Sequence, residues 1–304
     1  MQSERVVIVG AGAVGCYFGG MLARAGVRVA LIGRSAHIDA IRRDGLFLER
    51  GDFQEFVSLE ADTDIRAVSG GTIVLLCVKT IDTETAAAAM ATHLREGALL
   101  VSFQNGVDNV ERIERATGIN GISSVVYVAA AMSGPGRVKH SGRGDVVIGG
   151  ASPRGALQRI AQLFERASIQ CRISDDIAVE LWTKLVTNCA YNAISAVTQS
   201  RYGRIKEHPL TRGVIEELVG EVVAVGKAAG VALPDREELT AATWALGDAM
   251  PTASSSTAQD LARHRPTEID SLNGYVVRRG KELGIPTPVN STLYALVRLI
   301  EKNL

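Results

Sequence analysis

The chain has 304 residues, 46% hydrophobic and 22% charged, with 33 Lys+Arg balanced by 33 Asp+Glu. That length and mixture exclude a disordered chain or a disulfide-stapled mini-protein and predict about two domains. The zero formal net charge excludes the broad basic surface of a nucleic-acid binder but leaves room for a compact anion site.

The first apolar run, residues 5–10, starts almost at once and has no basic leader before it, so it predicts a strand and not a signal peptide. No run of 18 apolar residues follows anywhere, and the expectation is a cytoplasmic protein without a membrane partner. A helix is predicted over 14–25, a strand over 27–32, and a hairpin from 46–49 and 53–59 around Gly51-Asp52. Strands at 72–78 and 98–103, helices after Asp82 and after Gly106, and a strand at 122–130 continue the alternation. Residues 138–148, interrupted by Ser141-Gly142-Arg143-Gly144-Asp145, are expected as an added hairpin with that segment as its turn. Continuous apolar strands alternating with helices predict an α/β domain whose parallel sheet is covered on both faces.

From Ser174-Asp175-Asp176, a good helix start, the pattern turns helical: 177–200, 210–230, 235–246, 268–284 and 292–303. The domain boundary is therefore placed at residue 174, giving a Rossmann-type domain over 1–174 and an all-α domain over 175–304. Four cysteines without a CxxC pair and five histidines without ligand spacing argue against a disulfide framework and a structural metal.

Chemistry enters at the first strand-to-helix turn, Gly10-Ala11-Gly12-Ala13-Val14-Gly15. In GxGxxG the first glycine permits the tight turn, the second lets backbone approach a pyrophosphate, and the third lets helix pack on strand, while the helix N-terminus offers N–H groups to the anion. These six residues are the candidate dinucleotide loop. At the end of the second strand an NAD-preferring fold places a carboxylate for the ribose 2′-OH; this chain reads Ile32-Gly33-Arg34-Ser35. Arg34 can pair with a 2′-phosphate instead, so NADPH/NADP is the predicted cofactor. Lys79 and Asn105 follow two further strands at the edge where open parallel sheets bind ligands, and each is a candidate cofactor or substrate contact.

In the helical half, Lys184, Asn188 and Asn192 recur at i, i+4 and i+8 along one helix face among apolar neighbours. Buried amides and an ammonium need polar company, which is either an internal helix–helix network or a substrate. Glu268 follows Pro266 near a predicted helix start, where a carboxylate suits the positive end of the dipole. The hydroxyl run Ser254-Ser255-Ser256-Thr257 is a helix cap or a carboxylate site.

Taken together, the glycine loop, CVKT at 77–80, Gln104-Asn105-Gly106, KLVTNCAYNAISA at 184–196, SSTAQD at 255–260, RPTEIDSLNG at 265–274 and GIPTPVN at 284–290 resemble the ketopantoate reductases (2-dehydropantoate 2-reductases) over nearly the whole chain. The resemblance implies a Rossmann domain followed by an all-helical domain, and NADPH-dependent reduction of a 2-keto acid, ketopantoate to (R)-pantoate in pantothenate biosynthesis. It implies Lys184 as catalytic acid supported by Glu268, with Asn105, Asn188, Asn192 and Ser256 on the substrate and Gln104 beside Asn105 among the cofactor contacts. Some members carry a further substrate-binding asparagine three residues before Ser256, where this chain has Ala253. Reduction of another 2-keto or 3-keto acid, or a non-catalytic NADPH sensor, remains the alternative; a homodimer is left open.

Overall fold

The computed structural model describes residues 4–303. They form two compact units: one holds the chain up to Gln104 together with Asp108–Ile177, the other holds Asn105–Val107 and Ala178 onward. The division falls three residues beyond the expected boundary.

In chain order the first unit contains β1 (Arg5–Val9), α1 (Ala13–Arg24), β2 (Arg28–Ile32), α2 (Ser35–Asp44), β3 (Leu46–Arg50), β4 (Phe53–Val57), β5 (Glu60–Asp62), β6 (Ile73–Leu76), α3 (Thr83–Ala91), β7 (Leu99–Ser102), α4 (Asn109–Thr117), β8 (Ile122–Gly134), β9 (Arg137–Gly149), α5 (Arg154–Arg166) and β10 (Cys171–Ile173). The strands form one sheet in the order β4-β3-β9-β8-β7-β6-β1-β2-β5, with β10 also on β9. From β8 through β2 to β5 the pairs are parallel, and β8–β9 and β3–β4 are antiparallel. The chain passes from β1 to β2 on one side and returns to β6 on the other, so the strand order reverses between β1 and β6. That switch point opens a crevice at the carboxyl ends of the strands.

The period of two explains the unbroken apolar runs. Val6, Ile8, Leu31, Ile73 and Leu75 join the core on one face, whereas Val7, Val9, Ile32, Val74 and Leu76 join the core on the other. Both faces are buried, as an α/β sheet requires.

The segment Ser141–Asp145 is not a hairpin turn, which corrects the expectation for 138–148. The turn is Pro135-Gly136, and β8 and β9 form one long antiparallel pair across it. Along β9 the pairing skips Ser141 and Gly144, so two bulges occupy the supposed turn. Gly144 has φ +138, and a Cβ there would lie 2.5 Å from the Tyr17 hydroxyl. Arg143 bonds Asp145 at 3.0 and 2.7 Å and lies 3.9 Å from the Tyr127 ring centre. A local ion pair and a cation–π contact thus hold the Arg143 side chain of the bulged segment.

The second unit is helical: α6 (Ile177–Thr198), α7 (Tyr202–Glu207), α8 (Pro209–Ala228), α9 (Arg236–Ala249), α10 (Ser256–Ala262), α11 (Asn273–Leu283) and α12 (Pro288–Lys302). Its main core gathers Trp182, Leu185, Val186, Cys189 and Tyr191 of α6 with Leu218, Val219 and Val222 of α8. Glu268 does not open a helix, a second correction: it precedes a single 3₁₀ turn, Ile269–Ser271, and α11 starts only at Asn273. Among the described residues no helix is long and apolar enough to cross a membrane.

Candidate active site

Two constellations, one in each unit, hold the residues singled out by sequence. In the first, β1 ends at Val9 and the chain turns at Gly10, whose φ of +117 favours glycine and whose Cβ would stand 2.7 Å from the backbone of Cys77 and Val78 past β6. Ala11 is buried, and a Cβ on Gly33 at the end of β2 would fall 2.5 Å from its methyl, so Arg34 is carried next to the loop. A Cβ on Gly15 would stand 2.1 Å from the Gly10 carbonyl oxygen and 3.0 Å from Ile8. That closeness seats α1 on β1.

Gly12 differs: a Cβ there meets nothing within 4 Å. It N-caps α1 without a side-chain cap, and no acidic residue sits in the first turn formed by Ala13, Val14 and Gly15. The N–H groups that the first turn of a helix leaves unpaired and the positive end of its dipole therefore border this open space, the requirement for binding a phosphate. Arg34 N-caps α2 with its side chain exposed, and among the described residues no carboxylate pairs with it. Lys79, half-buried, precedes the 3₁₀ turn Thr80–Asp82 beyond β6.

Gln104 is drawn inward. Its carboxamide oxygen accepts from the Ser102 hydroxyl at 3.0 Å and its nitrogen donates to the Thr83 hydroxyl at 2.7 Å. With that side chain held inside the unit, what Gln104 offers a ligand is backbone.

The second constellation is built on α6. Lys184 and Asn188 are half-buried and Asn192 is 4% exposed, all on the face predicted from their spacing. Lys184 Nζ donates to Asn105 Oδ1 at 3.0 Å, and Asn105 Nδ2 donates to Glu268 Oε2 at 2.9 Å. The two partners fix the orientation of the amide, because only its oxygen can face an ammonium and only its nitrogen a carboxylate. The Asn105 carboxamide thus links the two charged groups, a role that spacing along the chain does not reveal.

Among the described residues the carboxamides of Asn188 and Asn192 receive and give no hydrogen bond. The internal network expected as one alternative therefore takes in Lys184 but leaves both amides for another partner. Of the serine run, Ser255 is buried and caps α10, accepting from Ala258 N at 3.0 Å and donating to the Asn192 carbonyl oxygen at 3.3 Å. Ser256 is the first residue of α10 and is exposed. Ser256 is thus the free-standing hydroxyl next to the cap, and the cap itself fastens α10 to α6.

The cysteines supply no nucleophile here. Burial pushes the Cys16 and Cys171 thiols up to about 12 and raises those of Cys77 and Cys189 further. At neutral pH all four are protonated and unreactive.

Comparison with known proteins gives the family. The ketopantoate reductase PanE/ApbA family matches residues 6–153, and the C-terminal domain of the same family matches residues 176–301. A 2-dehydropantoate 2-reductase of Halobacterium salinarum is 33% identical across 98% of this chain and 99% of its own. One from Vibrio cholerae is 32% identical over 98% of each. The crystal structure of a PanE/ApbA family ketopantoate reductase from Ralstonia eutropha JMP134 superposes with a TM-score of 0.94 at 48% identity, covering 99% of both chains. With both domains matched, the chain belongs to the ketopantoate reductase family, oxidoreductases that act on a CH–OH group.

Proposed function

We propose that this protein reduces ketopantoate (2-dehydropantoate) to (R)-pantoate with NADPH, a step of pantothenate biosynthesis, and that Lys184 is the general acid. The observation that carries the reading is the Lys184–Asn105–Glu268 chain, flanked on the same face of α6 by two asparagines whose carboxamides make no hydrogen bond among the described residues. An ammonium and two amides suit a small polar anion with a ketone.

The first unit fits the cofactor. Gly12 opens onto free space at the α1 N-terminus, where Ala11, Ala13, Val14 and Gly15 shape the loop around a pyrophosphate. Arg34 at the α2 N-terminus would take the 2′-phosphate of NADPH, and Lys79 and the Gln104 backbone lie past β6 and β7, at the same edge. When bound, the dihydronicotinamide supplies the hydride.

The side chains of the second unit handle the charge. As the C2–H bond forms, the π pair of the ketone moves onto oxygen, where Lys184 stabilises it and transfers a proton; solvent later reprotonates the amine. Glu268, acting through Asn105, holds the amide oxygen toward the Lys184 ammonium and so orients it before the transfer. Asn188, Asn192 and Ser256 supply donors for the hydroxyl and carboxylate of the substrate.

A second reading, reduction of another 2-keto acid, rests on Ala253. It is half-buried, and its carbonyl accepts from Tyr202 N at 3.0 Å, so the position offers a methyl where some members offer an amide. Loss of NADPH absorbance against a panel of 2-keto acids tests both. Fastest turnover with ketopantoate is the expected result; preference for another acid transfers the assignment to the second reading, and no turnover with intact NADPH binding contradicts both.

A further inference from the structure

We propose that Glu301, reaching back from α12, is a positioning residue that fixes Glu268 against Asn105; the inference rests on the catalytic reading of Lys184 and Glu268 above. Glu268 stands on irregular backbone between α10 and α11, with only the turn Ile269–Ser271 after it. A carboxylate on such a segment would sample many directions unless the chain on either side were held.

The residue before Glu268 is held by one carboxylate, and the residue after it is tied to that same neighbour. Thr267, 5% exposed, donates its N–H at 2.7 Å and its hydroxyl at 2.5 Å to the same Glu301 Oε1. The Thr267 hydroxyl in turn accepts the Ile269 N–H at 3.2 Å. Thr267 is therefore held directly by Glu301 and Ile269 through Thr267; the Glu301 side chain is 11% exposed and its second oxygen is held by Arg298 Nη1 at 2.8 Å. A second grip follows two residues on: Asp270 accepts from the Tyr294 hydroxyl at 2.6 Å and from Arg278 at 2.9 Å.

The platform behind these contacts is packed on the helix of the acid. Val297 of α12 packs with Ile269 and Leu261 against Ala193 and Ala196 of α6, the helix that carries Lys184. Lys184 and Glu268 are thus referenced to each other twice, directly through Asn105 and indirectly through α6, α12 and Glu301. A purely structural latch on the C-terminal helix would not require that the residues flanking Glu268 be the ones caught.

The test is a double-mutant cycle on the full chain, following NADPH oxidation with ketopantoate. Glu301→Ala is expected to lower kcat about ten- to hundredfold, the scale of a small misplacement of a catalytic group, with the KM for NADPH unchanged. Glu301→Gln, which keeps an oxygen acceptor for Thr267, should recover most of that loss. In a Glu268→Gln background the Glu301→Ala change should add less than about twofold, because nothing remains to be positioned. An equal loss in both backgrounds, or unchanged kcat in Glu301→Ala, overturns the positioning role and leaves the site reading intact. Wild-type turnover in Glu268→Gln overturns the site reading itself and the positioning role with it. If Glu301→Ala does not unfold cooperatively like the parent, Thr267→Val carries the same cycle.

Discussion

Substituting Gly12 by alanine separates the folding of the glycine loop from its use. The residue adopts φ −86 and ψ −170, extended backbone open to any L-amino acid, and its added Cβ meets no protein atom within 4 Å. The stability cost is then that of alanine in place of glycine at an N-cap, roughly 0.5 to 1 kcal/mol, a fall of at most about 4 °C in Tm for a chain of this size. The effect on NADPH is larger. The methyl occupies the space through which the α1 N–H groups reach a pyrophosphate, and each charge-assisted hydrogen bond lost costs about 1.5–3 kcal/mol, or roughly 10- to 100-fold in Kd. Thermal unfolding of the cofactor-free protein and a fluorescence titration with NADPH read the two quantities independently. A variant that binds NADPH like the parent would refute the placement of the pyrophosphate over Gly12. One that loses its fold without cofactor would refute the claim that the space above Gly12 is empty of protein.

Arg34→Ala should weaken NADPH about 10- to 100-fold while leaving NADH nearly unchanged, as measured by kcat/KM for each; an unchanged ratio removes Arg34 from cofactor choice. Gly144→Ala forces a Cβ toward the Tyr17 hydroxyl at a φ of +138, so a loss of about 1–3 kcal/mol in denaturant unfolding is expected, with NADPH affinity preserved. The third concerns acid stability. The hydrogen bonds from Arg112, at 2.7 and 2.6 Å, hold the Glu84 carboxyl below its ordinary value of 4.5. A lowered folded pKa contributes stability that is present above about 4.5 and is lost as the pH falls through the folded value. The gap in unfolding midpoint between the parent and Glu84→Gln should therefore exist at neutral pH and close in acid; a gap that widens in acid contradicts it.

Periodicity made most of the first domain legible, because a strand buried on both faces writes a continuous apolar run, as in residues 5–10 and 72–78. What escaped has physical causes. The helix Arg154–Arg166 went unpredicted although Leu157, Ile160, Ala161 and Phe164 mark its buried stripe. Ser141–Asp145 reads as a turn because bulges and turns need the same residues: only the pairing register tells a Gly144 that is skipped from one that reverses the chain. Glu268 matched a helix-start pattern through Pro266, but its carboxylate is engaged by Asn105, which is 163 residues away in sequence. The i, i+4, i+8 spacing of Lys184, Asn188 and Asn192 located a polar face of α6, since helical geometry alone decides which residues share a face. The network behind it, Asn105 and Glu301 above all, depends on tertiary contacts that no local pattern encodes.

In the proposed reaction Lys184 protonates and stabilises the developing alkoxide. The most direct test is the single-turnover rate of Lys184→Ala at saturating NADPH and ketopantoate, with the NADPH Kd measured on the same sample. A fall of about 10²- to 10⁴-fold in rate with an unchanged Kd is the predicted result. A parental rate, or a loss explained entirely by weaker NADPH binding, would contradict it.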